Sequence, residues 1–340
     1  MKKILYIGNN LKSKKSNLSG IQTLGPLLEK EGYKMFYASS KSNKVLRLFD
    51  MVKSCLTLSK QIDLVLIDTY STQNFYYALI VSQLCSALKL PYIPILHGGN
   101  LPKRLKRNPK MSQLLFENAK CSVAPSLYLK NAFETFNYKN VVHISNALEV
   151  INYPFLNKVY DSPKLLWVRS FSKIYNPKLA VKAFNAIKQT YPNAELCMIG
   201  PDSDGTLKDV KALVKELKLN VKFTGKLGKK EWIELSKTYN VFINTTNFDN
   251  MPVSVIEAMA LGLPVVSTNV GGIPFLIHHN TTGLLVNPDS VNEMTKAILD
   301  LMTNKQNRTI LIQNARIQAE QYDWVNIKKQ WSNILEKDFC

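Results

Sequence analysis

The chain has 340 residues, enough to bury a large core and long for one domain, so two domains are expected. Hydrophobic residues at 46% and charged ones at 20% exclude a disordered or fibrous chain. The formal charge of +19 is uneven: Lys and Arg outnumber Asp and Glu by 21 to 8 over residues 1–155 and by 23 to 17 over the remainder. The densest basic run, Lys103, Arg104, Lys106, Arg107 and Lys110, suits an anionic membrane surface, a lipid carrier or nucleic acid, and equally a solvated face.

Five scattered cysteines without a Cys-x-x-Cys pair argue for buried thiols in a reducing compartment, not a disulfide frame or zinc site. The apolar run after Lys3 is too short for a signal peptide. The most apolar long window, Tyr77 to Leu96, is broken by Gln83, Lys89, Pro91 and Pro94, so no membrane span is expected. The chain reads as cytoplasmic, with a peripheral place on the inner face of a membrane left open.

In chain order, KILYIG (3–8) is a short apolar run ending in Gly, as a buried parallel strand should. A helix over Ile21 to Glu31 leads to a strand at KMFYAS, and a helix over Leu46 to Ser59 leads to DLVLID (63–68). Asn74 to Leu88 is a third helix, and PYIPIL (91–96) a strand running into His97-Gly98-Gly99-Asn100. Ser122 to Ala124 and Val141 to Ser145 are weaker strands. A boundary falls near Ile151 to Pro163, giving domains 1–155 and 156–323. Alternation then restarts: strand KLLWVR (164–169), helix Pro177 to Thr190, strand AELCMIG, helix Leu207 to Leu217 and strand VKFTG. Helix Lys229 to Ser236, strand VFINT, helix Pro252 to Leu261 and strands PVVST and TGLLV follow, with a terminal helix over Trp324 to Lys337. Such alternation implies α/β architecture with doubly wound parallel sheets and ligands at the strand C-terminal ends.

The chemistry concentrates in Asp249 to Pro274, DNMPVSVIEAMALGLPVVSTNVGGIP. A loop carboxylate, a second carboxylate eight residues later on a helix, and Gly-rich turns can hold hydroxyls and phosphate together. The start of the Pro252 helix, with Asn250, Met251, Val253 and Ser254, offers free N–H groups to an anion. Glu257, more than one turn in, suits the two hydroxyls of a ribose. Asp249 either touches a sugar or, with Asn250, caps the helix. Arg169 at a strand end is placed for bidentate phosphate contacts, with Lys173 following. Trp167, Phe171 and Tyr175 read as core or wall residues.

This string resembles the donor signature of the family-four retaining nucleotide-sugar glycosyltransferases (glycosyl transferases group 1): Glu, seven residues, Glu, then Ala-Met-Ala, Gly-x-Pro-Val-Val and Gly-Gly-x-Pro. Asp249 stands at the first Glu position, which points to a different sugar or a closer approach. SFSKIYNP after Arg169 is similar to the family's Gly-Arg, Lys, Asn-Pro element, with Val168 in place of the glycine and Lys173 one residue early. The resemblance implies the GT-B fold, two Rossmann-like domains facing across a cleft, with 324–340 crossing back to the first. It implies a hexosyltransferase moving a sugar from a nucleotide diphosphate to a saccharide or lipid-linked acceptor with retention, in cell-surface polysaccharide or glycolipid synthesis, without metal or cofactor. Asp249, Arg169, Lys173 and His97 would be catalytic. His97 with Gly98 and Gly99, Gly20 after the Lys12 to Lys15 loop, and Gly271 with Gly272 would line the sugar and phosphates. A GT-B sugar-nucleotide epimerase and a non-catalytic binder of nucleic acid or anionic lipid are alternatives, but neither explains the whole second-domain string.

Overall fold

The computed structural model describes residues 2–11 and 19–336, so the Lys12 to Lys15 loop, Lys337 and Cys340 lie outside the described residues. The chain forms two compact units, and the second runs Leu148–Asp323.

The first unit is built on a parallel sheet of β1 (Lys3–Ile7), β2 (Lys34–Ala38), β3 (Leu64–Tyr70), β4 (Tyr92–His97), β5 (Ser122–Ala124) and β6 (Val141–His143), ordered β2-β1-β3-β4-β5-β6. Strands covered on both faces are mainly apolar, and β3 is buried from Leu64 to Thr69, apolar up to Ile67. Its helices are α1 (Gly20–Lys30), α2 (Lys44–Leu58), α3 (Asn74–Ala87), α4 (Leu101–Arg107), α5 (Pro109–Phe116) and α6 (Leu127–Thr135). A capping box starts α1, where the Gln22 side chain accepts from Ser19 N–H at 3.1 Å. Asn43 caps α2 by accepting from the N–H groups of Val45 and Leu46.

The second unit repeats the plan with β7 (Lys164–Val168), β8 (Glu195–Ile199), β9 (Lys222–Gly225), β10 (Val241–Asn244), β11 (Val265–Thr268) and β12 (Leu284–Val286), ordered β12-β11-β10-β7-β8-β9. Its helices are α7 (Pro177–Thr190), α8 (Thr206–Glu216), α9 (Lys229–Ser236), α10 (Val253–Ala260), α11 (Ile273–Leu276), α12 (Val291–Thr303) and α13 (Lys305–Gln321). Trp167, Phe184, Met198 and Ile298 fill one side of this sheet, and Leu166, Phe242, Val255 and Met259 the other. The unit starts earlier than residue 156 because Leu148, Val150 and Tyr153 pack into that second layer.

The last helix, α14 (Trp324–Glu336), belongs to the first unit. With α1 it covers one face of that sheet, burying Trp324, Ile327 and Trp331 against Ile4, Tyr6 and Leu66. Lys2 Nζ donates to Leu335 O at 2.8 Å, and Trp324 Nε1 to Glu31 at 3.0 Å. The opposite face is covered by α2 to α6 through Met51, Phe75, Leu105, Phe116 and Phe133. Helices α4, α5 and α6 were not anticipated from sequence. No helix of the described residues is long and apolar enough to cross a membrane, and the Tyr77 to Leu96 window divides between α3 and β4.

Candidate functional site

In the second unit the C-terminal ends of β7, β8, β10 and β11 bring the sequence-derived candidates together. Arg169 follows β7 and forms an ion pair with Asp249, both side chains 14% exposed. Its guanidinium lies 4.3 Å from the Tyr175 ring centroid, so Tyr175 is a wall for the arginine, while Trp167 and Phe171 are fully buried. Burial lowers the Arg169 pKa, and Tyr175 opposes that shift. Gly200, after β8, supports the same residue from behind: a Cβ there would sit 1.8 Å from the Arg169 carbonyl oxygen.

Asp249 does not cap the helix. Its Oδ1 accepts from Asn250 N–H at 2.9 Å, and the N-cap of α10 is Pro252, so the helix begins one residue later than expected, at Val253. Gly271 and Gly272 press on this loop, and Gly272 N–H donates to Asp249 O at 2.9 Å. A Cβ on Gly272 would meet Asn250 O at 2.0 Å, and one on Gly271 would meet Asp249 O at 2.2 Å. The Gly-Gly turn therefore fixes where the Asp249 carboxylate points.

Glu257 is buried on α10. It accepts from Tyr153 Oη at 2.8 Å and pairs with the ammonium of Lys229 at the start of α9. Burial raises the Tyr153 pKa, so the phenol keeps its proton and donates. Three buried polar atoms of the cluster, Arg169 Nε, Ser254 Oγ and Asp249 Oδ2, make no hydrogen bond among the described residues, and the last meets only the Arg169 ion pair. Such atoms are costly unless a ligand takes them. Asn250, Met251 and Val253 surround the same helix start, with Asn250 and Met251 buried. Lys173 stands apart: it is exposed, lies in a 3-10 turn, and its ammonium pairs with no carboxylate among the described residues. Asp204 anchors its backbone N–H at 3.0 Å.

A second cluster stands in the first unit where β1, β3 and β4 end. Asp68 is buried, and its Oδ1 accepts from Tyr6 Oη at 2.9 Å and lies 2.7 Å from His97 Nε2. Its Oδ2 accepts from Ile21 N–H at 3.3 Å, at the start of α1. A carboxylate only accepts, so His97 carries a proton on Nε2, which leaves Nδ1 as its other ring nitrogen. The Tyr70 ring stacks on His97 at 5.0 Å. Gly20 is obligatory: a Cβ would lie 2.7 Å from His97 Nε2 and 2.8 Å from Asp68 Oδ1. Gly98 has φ +91°, and Gly99 is buried in the same turn. A small open recess adjoins Asp68, bordered by Gly8, Asn9, Tyr70, Asn74 and Tyr77.

Sequence reasoning missed Asp68, Lys229, Tyr153 and Gly200. Asp68 had a signal, a carboxylate ending an apolar run; Tyr153 lay in a stretch without period, and Lys229 was one lysine among several. It also overlooked the triplet Asp202-Ser203-Asp204. These carboxylates are engaged with the backbone N–H groups of Gly205, Thr206 and Lys173. Among the described residues no cluster of three or more His, Cys, Asp or Glu could hold a metal ion.

The profile of the family "Glycosyl transferases group 1" matches residues 153–318. The sulfoquinovosyl transferase SQD2 of Arabidopsis thaliana is 32% identical over 152 residues, 43% of this chain and 28% of that protein. An uncharacterized glycosyltransferase of Haemophilus influenzae is 24% identical over 59% of this chain and 57% of its own. The chain thus spans well under two thirds of the length of these relatives. In structure it is similar to Anabaena HepE in complex with UDP and glucose, with a TM-score of 0.78 and 18% identity over 99% of this chain and 100% of that one. Sucrose-phosphate synthase from Thermosynechococcus elongatus gives 0.81 and 19%, over 98% of both chains. The motif and the profile agree that residues 153–318 form a glycosyl transferases group 1 domain, and the twice-wound sheets with these structural likenesses give the chain the GT-B fold.

Proposed function

We propose that the protein is a retaining glycosyltransferase that moves a hexose from a nucleotide-diphosphate sugar to an acceptor hydroxyl, in cell-surface polysaccharide or glycolipid synthesis. The observation that carries this reading is the pairing of a buried carboxylate, Glu257, and a nearly buried one, Asp249, with two cations beside the unpartnered Arg169 Nε and Ser254 Oγ. Glu257 would take the ribose hydroxyls. Arg169, the exposed Lys173 and the N–H groups that open α10 would take the diphosphate, and Asp249 the hexose hydroxyls, with Gly271 and Gly272 letting the chain approach closely. UDP-glucose is the first donor to test, since HepE has been solved with it.

In the reaction the acceptor oxygen bonds to the anomeric carbon on the face from which the diphosphate leaves. The bond from that carbon to the phosphate oxygen breaks, and the hydroxyl proton passes to the departing phosphate. Charge on that group is stabilised by Arg169, Lys173 and the helix start, so the proposal needs no metal or other cofactor. In the first unit, His97 Nδ1, fixed by Asp68, would orient a hydroxyl. A cytoplasmic setting is supported by Cys55, Cys85, Cys121 and Cys197, which are buried free thiols.

Incubation with a panel of nucleotide sugars, with detection of released nucleoside diphosphate, tests the reading. Failure of the folded protein to bind any nucleoside diphosphate overturns it. Isomerised donor without any acceptor product would instead identify an epimerase.

A further inference from the structure

The helix layer on one face of the first unit carries an apolar surface that the fold does not use. On α2 the outward stripe at helical spacing is Val45, Leu46, Phe49 and Leu56, exposed by 63%, 58%, 68% and 50%. The stripe continues onto α3 through Tyr76 and Ile80 and onto α5 through Met111 and Leu114, all exposed. These helices are neighbours held edge to edge. Tyr77 Oη donates to Lys44 O at 3.1 Å, Lys44 Nζ to Gln73 at 2.7 Å, and Gln83 Nε2 to Leu114 O at 2.9 Å. The outer face of a helix layer is ordinarily polar, and a contiguous apolar patch of this kind marks an interaction site.

The charges around it are of one sign. Lys53 and Lys60 lie along and just beyond α2, and Lys103, Lys106, Arg107 and Lys110 along α4 and α5, all exposed. The four carboxylates of residues 41–117 are already engaged. Asp50 accepts from Ser39, Asp63 from Lys3 N–H, Asp68 is buried, and Glu117 accepts from Gln113. Arg104 does not join the basic rim; it donates to Ser71 O and Asn108 and lies 5.5 Å from the Tyr76 ring centroid, tying α4 to α3.

We infer that this face docks the protein on an anionic lipid bilayer. Apolar side chains flanked by long basic ones are what an interface with hydrocarbon below and phosphate above selects, because lysine stems lie along the apolar level while their ammonium groups reach the headgroups. An acidic protein or a second copy of this chain would match only one of the two features. A second copy in particular would set the basic rim against itself.

The test is flotation of the full chain with vesicles of phosphatidylcholine alone and of phosphatidylcholine mixed with phosphatidylglycerol. The protein should float with the mixed vesicles only, and raised salt should release it. Phe49→Ser with Leu56→Ser, both at exposed positions, should cut partitioning about tenfold. Each of Lys53→Gln and Lys106→Gln should cut it about fivefold. Circular dichroism and nucleotide binding should be unchanged in these variants. No flotation with anionic vesicles overturns the inference, as does flotation indifferent to the Phe49 and Leu56 changes. Self-association abolished by Phe49→Ser in a protein that ignores vesicles would assign the face to a second copy. None of these outcomes bears on nucleotide binding in the second unit, so this inference and the proposed function fail independently.

Discussion

Replacing Glu257 by Gln isolates the charge of one carboxylate, because the amide has nearly the same shape and its oxygen still accepts from Tyr153 Oη, 2.8 Å from Glu257 Oε1. A hydrogen bond to a charged acceptor is worth about 1.5–3 kcal/mol and a neutral one about 0.5–1.5. Two ribose hydroxyls on Glu257 would therefore lose about 2–3 kcal/mol together, or roughly 30- to 150-fold in affinity. The fold should lose far less. Lys229, whose side chain is 44% exposed, returns to water when its partner is neutralised, and such a half-open ion pair contributes about 1 kcal/mol or less.

Isothermal titration of UDP, GDP and ADP into the wild-type chain and Glu257→Gln reads the affinity, and thermal melting without ligand reads the fold. The expected pattern is a large loss of affinity with the melting temperature moved by no more than about 4 °C. Tyr153→Phe is the control, since it removes a donor to Glu257 while leaving the carboxylate for ligand, and its affinity should stay near wild type. Glu257→Gln binding as tightly as the wild type would refute the assignment of ribose to Glu257, however well the protein folds.

Other parts of the two sites give sharp expectations. Asp68→Asn presents either an amide donor or a weaker acceptor to His97 Nε2 and releases the ring tautomer; turnover should fall at least tenfold with nucleotide affinity unchanged, and full activity would show that the pair only packs. Gly272→Ala drives a Cβ into Asn250 O and shifts the Asp249 carboxylate, so kcat/KM with the donor sugar should fall more than tenfold while the protein remains folded. Asp204 is held at about 2, first by the Thr206 hydroxyl and then by Lys173 N–H, so its depressed pKa favours the native state above the ordinary 3.8 and the gain is lost as pH falls toward 2. The melting difference between wild type and Asp204→Asn should accordingly be constant above that window and shrink through it, and a difference independent of pH would contradict this account.

The strands were legible because parallel strands buried on both faces are written as apolar runs, as in β1, β3, β7 and β10. The long helices α3 and α7 were legible from length and flanking punctuation. Helices α4 and α5 were not. Each is short, each has a proline in its first turn, and LPKRLKR buries only Leu101 and Leu105, too little apolar surface to show a period. The start of α2 was placed late because the Asn43 cap, not hydrophobicity, sets it. In the second-unit site the acidic loop, Glu257 and the Gly-Gly turn were readable as a continuous string. Their partners Lys229 and Tyr153 were not, because they arrive from α9 and from the start of the unit, and one sequence carries no trace of that meeting. Asp68 could have been found, since placing a carboxylate in a buried strand is expensive unless several donors meet it, and three do.

The two ion pairs also constrain how a donor can bind. Without ligand, Arg169 neutralises Asp249 in a place where both side chains are only 14% exposed. A diphosphate that draws the guanidinium away leaves a nearly buried carboxylate with only Asn250 N–H to satisfy it. A nucleoside diphosphate alone thus gains phosphate contacts and uncovers a charge, whereas the intact nucleotide sugar brings hydroxyls to meet it. The sugar should therefore raise affinity beyond its own contacts, and the wild-type chain should bind its nucleotide sugar at least tenfold more tightly than the free diphosphate, the cost of one exposed charged hydrogen-bonding group being about 1.4 kcal/mol or more. In Asp249→Asn the uncovered group is neutral, so the free diphosphate should bind more tightly than it does to the wild type, and the preference for the sugar-bearing form should collapse. Titration of both ligands into both proteins decides the matter. A preference that survives in Asp249→Asn would mean that the hexose is held elsewhere and that the Arg169–Asp249 pair is structural.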